Sequence, residues 1–152
     1  MTIQLKKHLI LNLMALFLSL ITAPAEGQAD DPGDILIVAN KSVRVSSITV
    51  NEAKNLFLQK RTQWPGGAKA IPINAPQKAE IRAHFDERVL SMSLEDELVY
   101  WYKKKIQTGS SAPPEFTNPL KAVFRLKGAV GYVFRSQYRE GVAKILLVLP
   151  AQ

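Results

Sequence analysis

The chain contains no cysteine, and this absence removes several functions at once. Disulfide bonds, thiolate metal ligands and thiol nucleophiles are all excluded. Histidine is scarce as well, since His84 is the one histidine beyond the first ten residues. A metal site would therefore need several converging carboxylates, and no spacing in the chain indicates such a cluster. We predict no metal ion and no cofactor.

The patterns typical of catalysis are also missing. Ser110 and Ser111 have no histidine or lysine at a recognisable spacing, so a serine nucleophile is unsupported. Asp86 and Glu87 are adjacent, and adjacent side chains on a helix point in different directions rather than forming a catalytic pair. The chain has no glycine-rich phosphate loop of either nucleotide-binding type. We predict that the protein is not an enzyme.

The charge of the chain is one-sided, with a formal net charge of +7 at pH 7. Apart from Lys103, Lys104 and Lys105, the basic residues are scattered, and aromatic residues do not alternate with them. A nucleic-acid interface is therefore not predicted. The excess of positive charge is compatible with an anionic ligand, with an acidic partner, with a membrane surface, or with solubility alone.

The first 29 residues have the pattern of an export signal. Lys6 and Lys7 precede an apolar run at residues 9–21, and small residues suited to cleavage follow. We predict cleavage after Ala25 or Ala29, and a single domain at residues 30–152. Because no cysteine follows the apolar run, lipid attachment is not expected. The predicted location is the periplasm or the exterior of the cell.

The remaining chain alternates apolar runs with helical patterns. Four compact apolar runs predict buried strands at residues 35–39, 70–74, 129–134 and 144–149. Helices are predicted to begin at the capping residues Thr49, Ser93 and Asn118, and directly after Pro76. Strands that are apolar on both faces and separated by helices predict an α/β domain with a mostly parallel central sheet flanked by helices.

The helix after Ser93 is predicted to be amphipathic, with acidic residues in its first turn and lysines in its last. This charge arrangement complements the helix dipole. Its inward face is predicted from helical spacing to consist of Leu94, Leu98, Trp101, Tyr102 and Ile106.

Four stretches together resemble one known family. They are "DILIVANKSV", "SSITVNEAKNLFLQKRTQW", "IPINAP" followed by "IRAHF", and "KGAVGYV". In this order they resemble the phosphate-type periplasmic substrate-binding proteins, the receptors of phosphate ABC transporters. Members of that family hold their ligand between two lobes. The resemblance therefore implies a shortened relative, a single lobe of periplasmic-binding-protein type.

The chain departs from the family pattern at the anion loop. The family has Ser-Gly-Thr before the helix, and these positions fall on Ala79, Glu80 and Ile81. The hydroxyl donors and the glycine are lost, and a carboxylate has been added, which repels an anion. A second departure is Gln59, which replaces a family glycine. Because glycine usually marks a backbone with positive φ, the resemblance does not fix the local turn geometry there.

Two groups of polar residues follow predicted strands and are the predicted ligand-binding residues. They are Asn40, Lys41 and Ser42 after the first strand, and Asn74, Gln77, Lys78 and Arg82 after the second. A small anion could be held there by side chains and by the helix N-terminus. The alternative is that Asn40 to Ser42 form an ordinary polar turn, and that Lys78 and Arg82 are solvated.

We therefore predict an exported, non-enzymatic binding protein that holds a small anion, phosphate-like or carboxylate, weakly at strand-to-helix ends. The alternative is a periplasmic protein–protein interaction module that has lost the phosphate site. Its partner would be a membrane sensor, a membrane transporter or a second copy in a homodimer.

Overall fold

The structure, a computed structural model, describes residues 31–152. The predicted signal and both predicted cleavage points lie outside the described residues. The elements in chain order are β1 (Ile35–Ala39), α1 (Val50–Phe57), β2 (Ile71–Pro72), α2 (Glu80–Phe85), a π-helical turn (Asp86–Leu90), α3 (Leu94–Thr108), α4 (Pro119–Arg125), β3 (Ala129–Phe134), a 3-10 turn (Arg135–Gln137) and β4 (Lys144–Leu149).

Three helices begin at the predicted capping residues. The Thr49 hydroxyl accepts a hydrogen bond from the Glu52 N–H, and the Glu52 carboxylate accepts one from the Thr49 N–H at 2.8 Å. Ser93 and Asp96 form the same reciprocal pair at the start of α3. The Asn118 side chain caps α4, accepting a backbone N–H of its first turn at 2.9 Å. Such caps stabilise a helix by about 1 kcal/mol each, so local sequence decides where these helices begin.

The four strands form a sheet in the order β2-β3-β1-β4 with helices packed against it, which confirms the predicted α/β class. The predicted mostly parallel pairing is wrong. β2 and β3 pair in parallel, whereas β1 is antiparallel to both β3 and β4. β2, β3 and β4 therefore run in one direction, with β1 inserted the opposite way between two of them. Burial on both faces makes a strand apolar whatever its direction, so its residues did not reveal this.

One face of the sheet packs beneath α1 and α2. Ile35 and Ile37 of β1 and Tyr132 of β3 contact Phe57 and Phe85 in this core. The Phe85 and Tyr132 rings are stacked with centroids 3.8 Å apart, and the Phe57 ring meets Phe85 edge-on at 4.6 Å. Removing one of these rings would cost about 3–5 kcal/mol, so this cluster fixes α2 on the sheet.

The other face packs against α4. Leu36 and Val38 of β1 lie with Val123 of α4 in a second core. Gly131 of β3 lies directly beneath this contact, and a Cβ atom there would be 2.9 Å from Val123 Cγ2. The absence of a side chain at this position lets α4 approach the sheet closely.

The inward face predicted for α3 is wrong for four of its five residues. Leu94, Leu98, Tyr102 and Ile106 are exposed, and only Trp101 of the predicted set is buried. Glu97 is buried instead, because it pairs with a buried arginine described below. Helical spacing places Leu94, Leu98, Tyr102 and Ile106 on one face of α3, but it does not determine whether that face is buried or exposed. Within residues 31–152, no helix is long and apolar enough to cross a membrane.

Candidate functional site

Arg82 of α2 lies at the centre of a buried ionic cluster, and its side chain is 4 % exposed. Its Nε donates to the Asp86 carboxylate at 3.0 and 3.1 Å. Its Nη2 donates to both oxygens of Glu97 at 2.8 Å. Its Nη1 donates to the Ala75 carbonyl at 2.9 Å and approaches Glu115 Oε1 at 3.4 Å. The suggestion that Arg82 is solvated is therefore wrong.

The cluster is assembled from three parts of the chain. Asp86 follows Arg82 by one helical turn, so the two side chains share a helix face. Glu97 enters from the first turn of α3, where the Trp101 indole N–H also donates to it at 3.2 Å. Glu115 enters from the loop before α4. A guanidinium with five donors can satisfy all these partners together, and this accounts for its burial.

Charge in this cluster is unfavourable for an anion. One guanidinium faces three carboxylates, so its positive charge is already neutralised. Burial raises the pKa of Asp86 to about 7. The positive charge of Arg82 acts to lower this pKa, and the negative charge of Glu97 acts to raise it. Burial likewise raises the pKa of Tyr132, which keeps its hydroxyl protonated near neutral pH. A phosphate brought here would meet net negative charge in a region of low dielectric constant.

The strand-to-helix junction is the segment between β2 and α2. Several of its polar groups are already hydrogen-bonded to other parts of the chain. The Asn74 N–H donates to the Pro114 carbonyl at 2.9 Å, and the Tyr132 hydroxyl donates to Asn74 Oδ1 at 3.3 Å. The Gln77 N–H donates to Glu115 Oε2 at 3.3 Å. Glu115 thus contacts both the backbone N–H and the arginine that an anion at this junction would use.

The helix at this junction starts later than predicted. Residues 77–79 form a turn in which the Ala79 N–H donates to the Pro76 carbonyl at 2.9 Å, and α2 begins at Glu80. Ala79 provides no side-chain cap within the described structure. Lys78 is exposed on this turn. α2 has six residues, so its dipole is short as well as uncapped.

Asn40 and Ser42 lie elsewhere and form a structured turn. Asn40 Nδ2 donates to the Val123 carbonyl at 2.8 Å and to the Phe124 carbonyl at 2.9 Å, capping the C-terminal end of α4. Asn40 Oδ1 accepts the Ser42 N–H at 2.9 Å, and Ser42 Oγ accepts the Gly128 N–H at 3.0 Å. Lys41 is exposed between them.

The seven predicted site residues therefore fall at two opposite ends of the sheet. Ala39 pairs with Val130, near the start of β3, so the turn after it lies at that end. Asn74 contacts Tyr132, further along β3, and the chain continues from there to Arg82. The antiparallel direction of β1 causes this separation. The cavity beside Ser42 has none of the second group in its walls.

A basic cavity opens beside Ser42, at the β1 end of the sheet. Its volume is about 430 Å³, and its walls include Ser42, Arg44, Trp64, Lys69, Lys127 and Gly128. Arg44, Lys69 and Lys127 are all exposed, and no carboxylate lines the cavity. Within residues 31–152 none of these three cations forms an ion pair of 4 Å or less.

The backbone of Gly128 makes close contacts with two other residues that line this cavity. The Trp64 indole N–H donates to the Gly128 carbonyl at 2.9 Å. Gly128 has φ +80°, and a Cβ atom there would collide with the Lys69 carbonyl. Glycine is therefore required at this position. Sequence reasoning missed the cavity because its three cations are far apart in the chain and no local pattern joins them.

Gln59 keeps the backbone expected of the glycine it replaces. Its φ is +52°, in the left-handed region, so the turn has the positive φ that glycine usually marks. Its Nε2 donates to the Ser111 carbonyl at 2.9 Å. This contact ties the turn to the loop before α4 and offsets part of the cost of about 1 kcal/mol of that backbone.

Known proteins are similar to this chain in structure but not in sequence. No family model matches the chain, and no curated protein is significantly similar to it in sequence. Solved structures are similar. A protein of Clostridium perfringens, assigned as a phosphate ABC transporter substrate-binding protein with bound phosphate, superposes with a TM-score of 0.57 at 17% identity, covering 76% of this chain and 46% of that one.

An ABC-type phosphate transport receptor of Vibrio cholerae superposes with a TM-score of 0.56 at 14% identity, covering 82% of this chain and 52% of the receptor. At these identities the similarity shows the fold alone. The resemblance to phosphate-type substrate-binding proteins is thereby confirmed at the level of the fold. The chain spans about half the length of these structures.

Proposed function

We propose that this protein is an exported, non-enzymatic binding protein that takes up a small anion, phosphate-like or carboxylate, in the basic cavity beside Ser42. The observation that supports this most directly is the set of three unneutralised cations, Arg44, Lys69 and Lys127, around one cavity. A membrane transporter as the partner of such a protein stays a prediction from the resemblance.

The two ends of the sheet differ in what they offer an anion. At the Arg82 end, donors and charge are already used by Glu97, Asp86 and Glu115. At the basic cavity, the cationic side chains have no carboxylate to displace. The proposed site keeps Ser42 from the predicted set and replaces the junction residues with Arg44, Lys69 and Lys127.

The cavity suits a small ligand bound weakly. Its volume of about 430 Å³ lies within the range of small-molecule pockets. Its cations are solvated, so each contributes modestly and the attraction is screened by salt. We expect dissociation constants in the millimolar to high-micromolar range, which correspond to about −4 to −6 kcal/mol.

Titration calorimetry with inorganic phosphate, sulfate and acetate tests the proposal. The double variant Arg44→Ala/Lys69→Ala should lose at least tenfold in affinity for the anion bound by the natural protein. The matched control is Lys78→Ala/Lys121→Ala, which removes the same charge from exposed positions and should change affinity less than twofold. The proposal fails if none of the three anions binds at 10 mM, or if the control loses as much affinity as the cavity variant.

A separate experiment tests the proposed export. The full sequence would be expressed in a bacterial host, and the N-terminus of the protein in the periplasmic fraction would be sequenced. A mature chain beginning at Glu26 or Asp30 supports cleavage after Ala25 or Ala29. A chain that stays in the cytoplasm with residues 1–29 attached contradicts the export part of the proposal without affecting the anion part.

A further inference from the structure

The exposed apolar surface of this protein is concentrated on α3. Ten large apolar side chains are exposed within residues 31–152, and five of them belong to this helix. Leu94, Leu98, Tyr102 and Ile106 follow one another at intervals of four, with exposures of 43 %, 56 %, 70 % and 70 %. Residues four apart form one continuous ridge on a helix. We call these four residues the α3 ridge.

The contacts that hold the helix to the body come from residues outside the ridge. Glu97 and Trp101 are buried against Arg82 and the core. The Tyr100 hydroxyl donates to the Leu58 carbonyl at 2.8 Å, and Lys104 Nζ donates to the same carbonyl at 2.6 Å. An apolar ridge this exposed marks a surface for association.

We propose that two copies of this chain pair through their α3 ridges, with the two helices antiparallel about a twofold axis near residue 100. In that register Leu94 faces the Ile106 position of the other copy, and Leu98 faces the Tyr102 position. The ridge is self-complementary, since it meets itself reversed. A twofold interface requires this property, because one patch must bind its own copy.

The charges along α3 favour the same arrangement. Glu95 and Asp96 lie at its start, and Lys103 and Lys105 lie near its end. Reversal about residue 100 brings Glu95 of one copy opposite the Lys105 position of the other, twice in each dimer. A parallel pair would place like charges and like dipole ends together, which is unfavourable. The charge pattern is therefore complementary to a second copy of this helix.

The interface is small, because α3 has 15 residues and is about 22 Å long. An area at the low end for specific interfaces gives weak, concentration-dependent association. This proposal does not rest on anion binding, since the basic cavity lies against other elements. The two can succeed or fail separately.

Analytical ultracentrifugation of the protein expressed from its full sequence, from 5 µM to 1 mM, is the direct test. We expect a monomer–dimer equilibrium within this range. Leu98→Glu should weaken dimerisation at least tenfold with an unchanged melting temperature. Phe124→Glu is the matched control, because Phe124 has the same 56 % exposure on a different helix and should leave dimerisation unchanged.

A charge reversal tests the register. Glu95→Lys should weaken the dimer several-fold, and Glu95→Lys with Lys105→Glu should restore it, because both cross-dimer pairs are then rebuilt in the opposite sense. Failure of the double variant to recover overturns the antiparallel register. A monomer at every concentration overturns the proposal altogether, whether residues 1–30 or another protein covers the ridge.

Discussion

Arg82 and the basic cavity hold positive charge at opposite ends of the same sheet, under opposite conditions. Arg82 is buried and bonded to three carboxylates and a backbone carbonyl. Arg44, Lys69 and Lys127 are exposed, and no carboxylate lines their cavity. A buried charge must be compensated where it lies, whereas water compensates an exposed one. The buried arginine is therefore structural, and the exposed cations are the ones available to a ligand.

At the Arg82 end, a carboxylate of the chain already contacts the donors that an anion at the strand-to-helix junction would need. A backbone N–H of the strand-to-helix junction and the guanidinium of Arg82 both still face a carboxylate. That carboxylate belongs to Glu115 of the chain itself. Residues 79–81 are Ala, Glu and Ile, so they offer no side-chain hydroxyl to an anion, and Glu115 already occupies the donors of this corner.

The strongest test of the contrast is removal of Arg82. Arg82→Ala leaves Asp86 and Glu97 buried without their cation, and we expect a loss of about 3–5 kcal/mol in the free energy of unfolding. Arg44→Ala, on the exposed side of the comparison, should change it by less than about 0.5 kcal/mol. Urea denaturation measures both. A loss below 1 kcal/mol for Arg82→Ala would show that the cluster is not structural.

The second test uses pH. The pKa of Asp86 is raised to about 7 in the folded protein, above its ordinary value of 3.8. Between these values the folded state binds a proton that the unfolded state has lost, so the contribution of Asp86 to stability falls as pH rises from 3.8 towards 7. The slope is at most about 1.4 kcal/mol per pH unit. Denaturation at pH 5 and pH 8 should show this fall.

Asp86→Asn is the control for the pH experiment, since it cannot titrate. It should flatten the dependence between pH 5 and pH 8. The lowered pKa values of Asp34, held mainly by the Ala151 N–H, and of Glu52, held by Thr49, affect stability only at more acidic pH. An equally steep fall in the asparagine variant would assign the effect to another group.

The third test compares how the two regions respond to ionic strength, and its expected effect is smaller. Raising salt from about 0.05 to 0.5 M should weaken phosphate binding several-fold, because solvated cations in the basic cavity are screened. The destabilisation caused by Arg82→Ala should barely change, because buried pairs are screened little. Calorimetry and denaturation at both salt concentrations measure this. Salt-independent phosphate binding would point away from exposed cations.

The smallest expected effect concerns Glu115, whose side chain is 47 % exposed. Glu115→Ala should cost less than about 1 kcal/mol, because a half-exposed ion pair contributes little. It should also leave phosphate affinity unchanged, since Asp86 and Glu97 still neutralise Arg82. A new phosphate site in this variant, detected by calorimetry, would show that Glu115 alone blocks the junction.

Local sequence predicted what is decided locally, and little beyond that. The caps at Thr49, Ser93 and Asn118 and three of the four strand segments were predictable because neighbouring residues determine them. The direction of β1 and the inward turn of Glu97 depend on partners distant in the chain. Glu97 is 15 residues from Arg82, and Glu115 is 33 residues from it. Chemical type alone suggested a ligand-binding role for Arg82, and burial reversed that interpretation.

The position of β1 has a consequence for the order in which this protein can fold. Ile35 pairs with Phe134 on one side and with Leu149 on the other. Strand β1 is therefore synthesised before both of the strands that it pairs with. Contacts so distant in the chain form slowly, and the sheet cannot close until the final strand has emerged from the ribosome. The sheet is therefore expected to be the slow part of folding, because its central strand waits for its last partner.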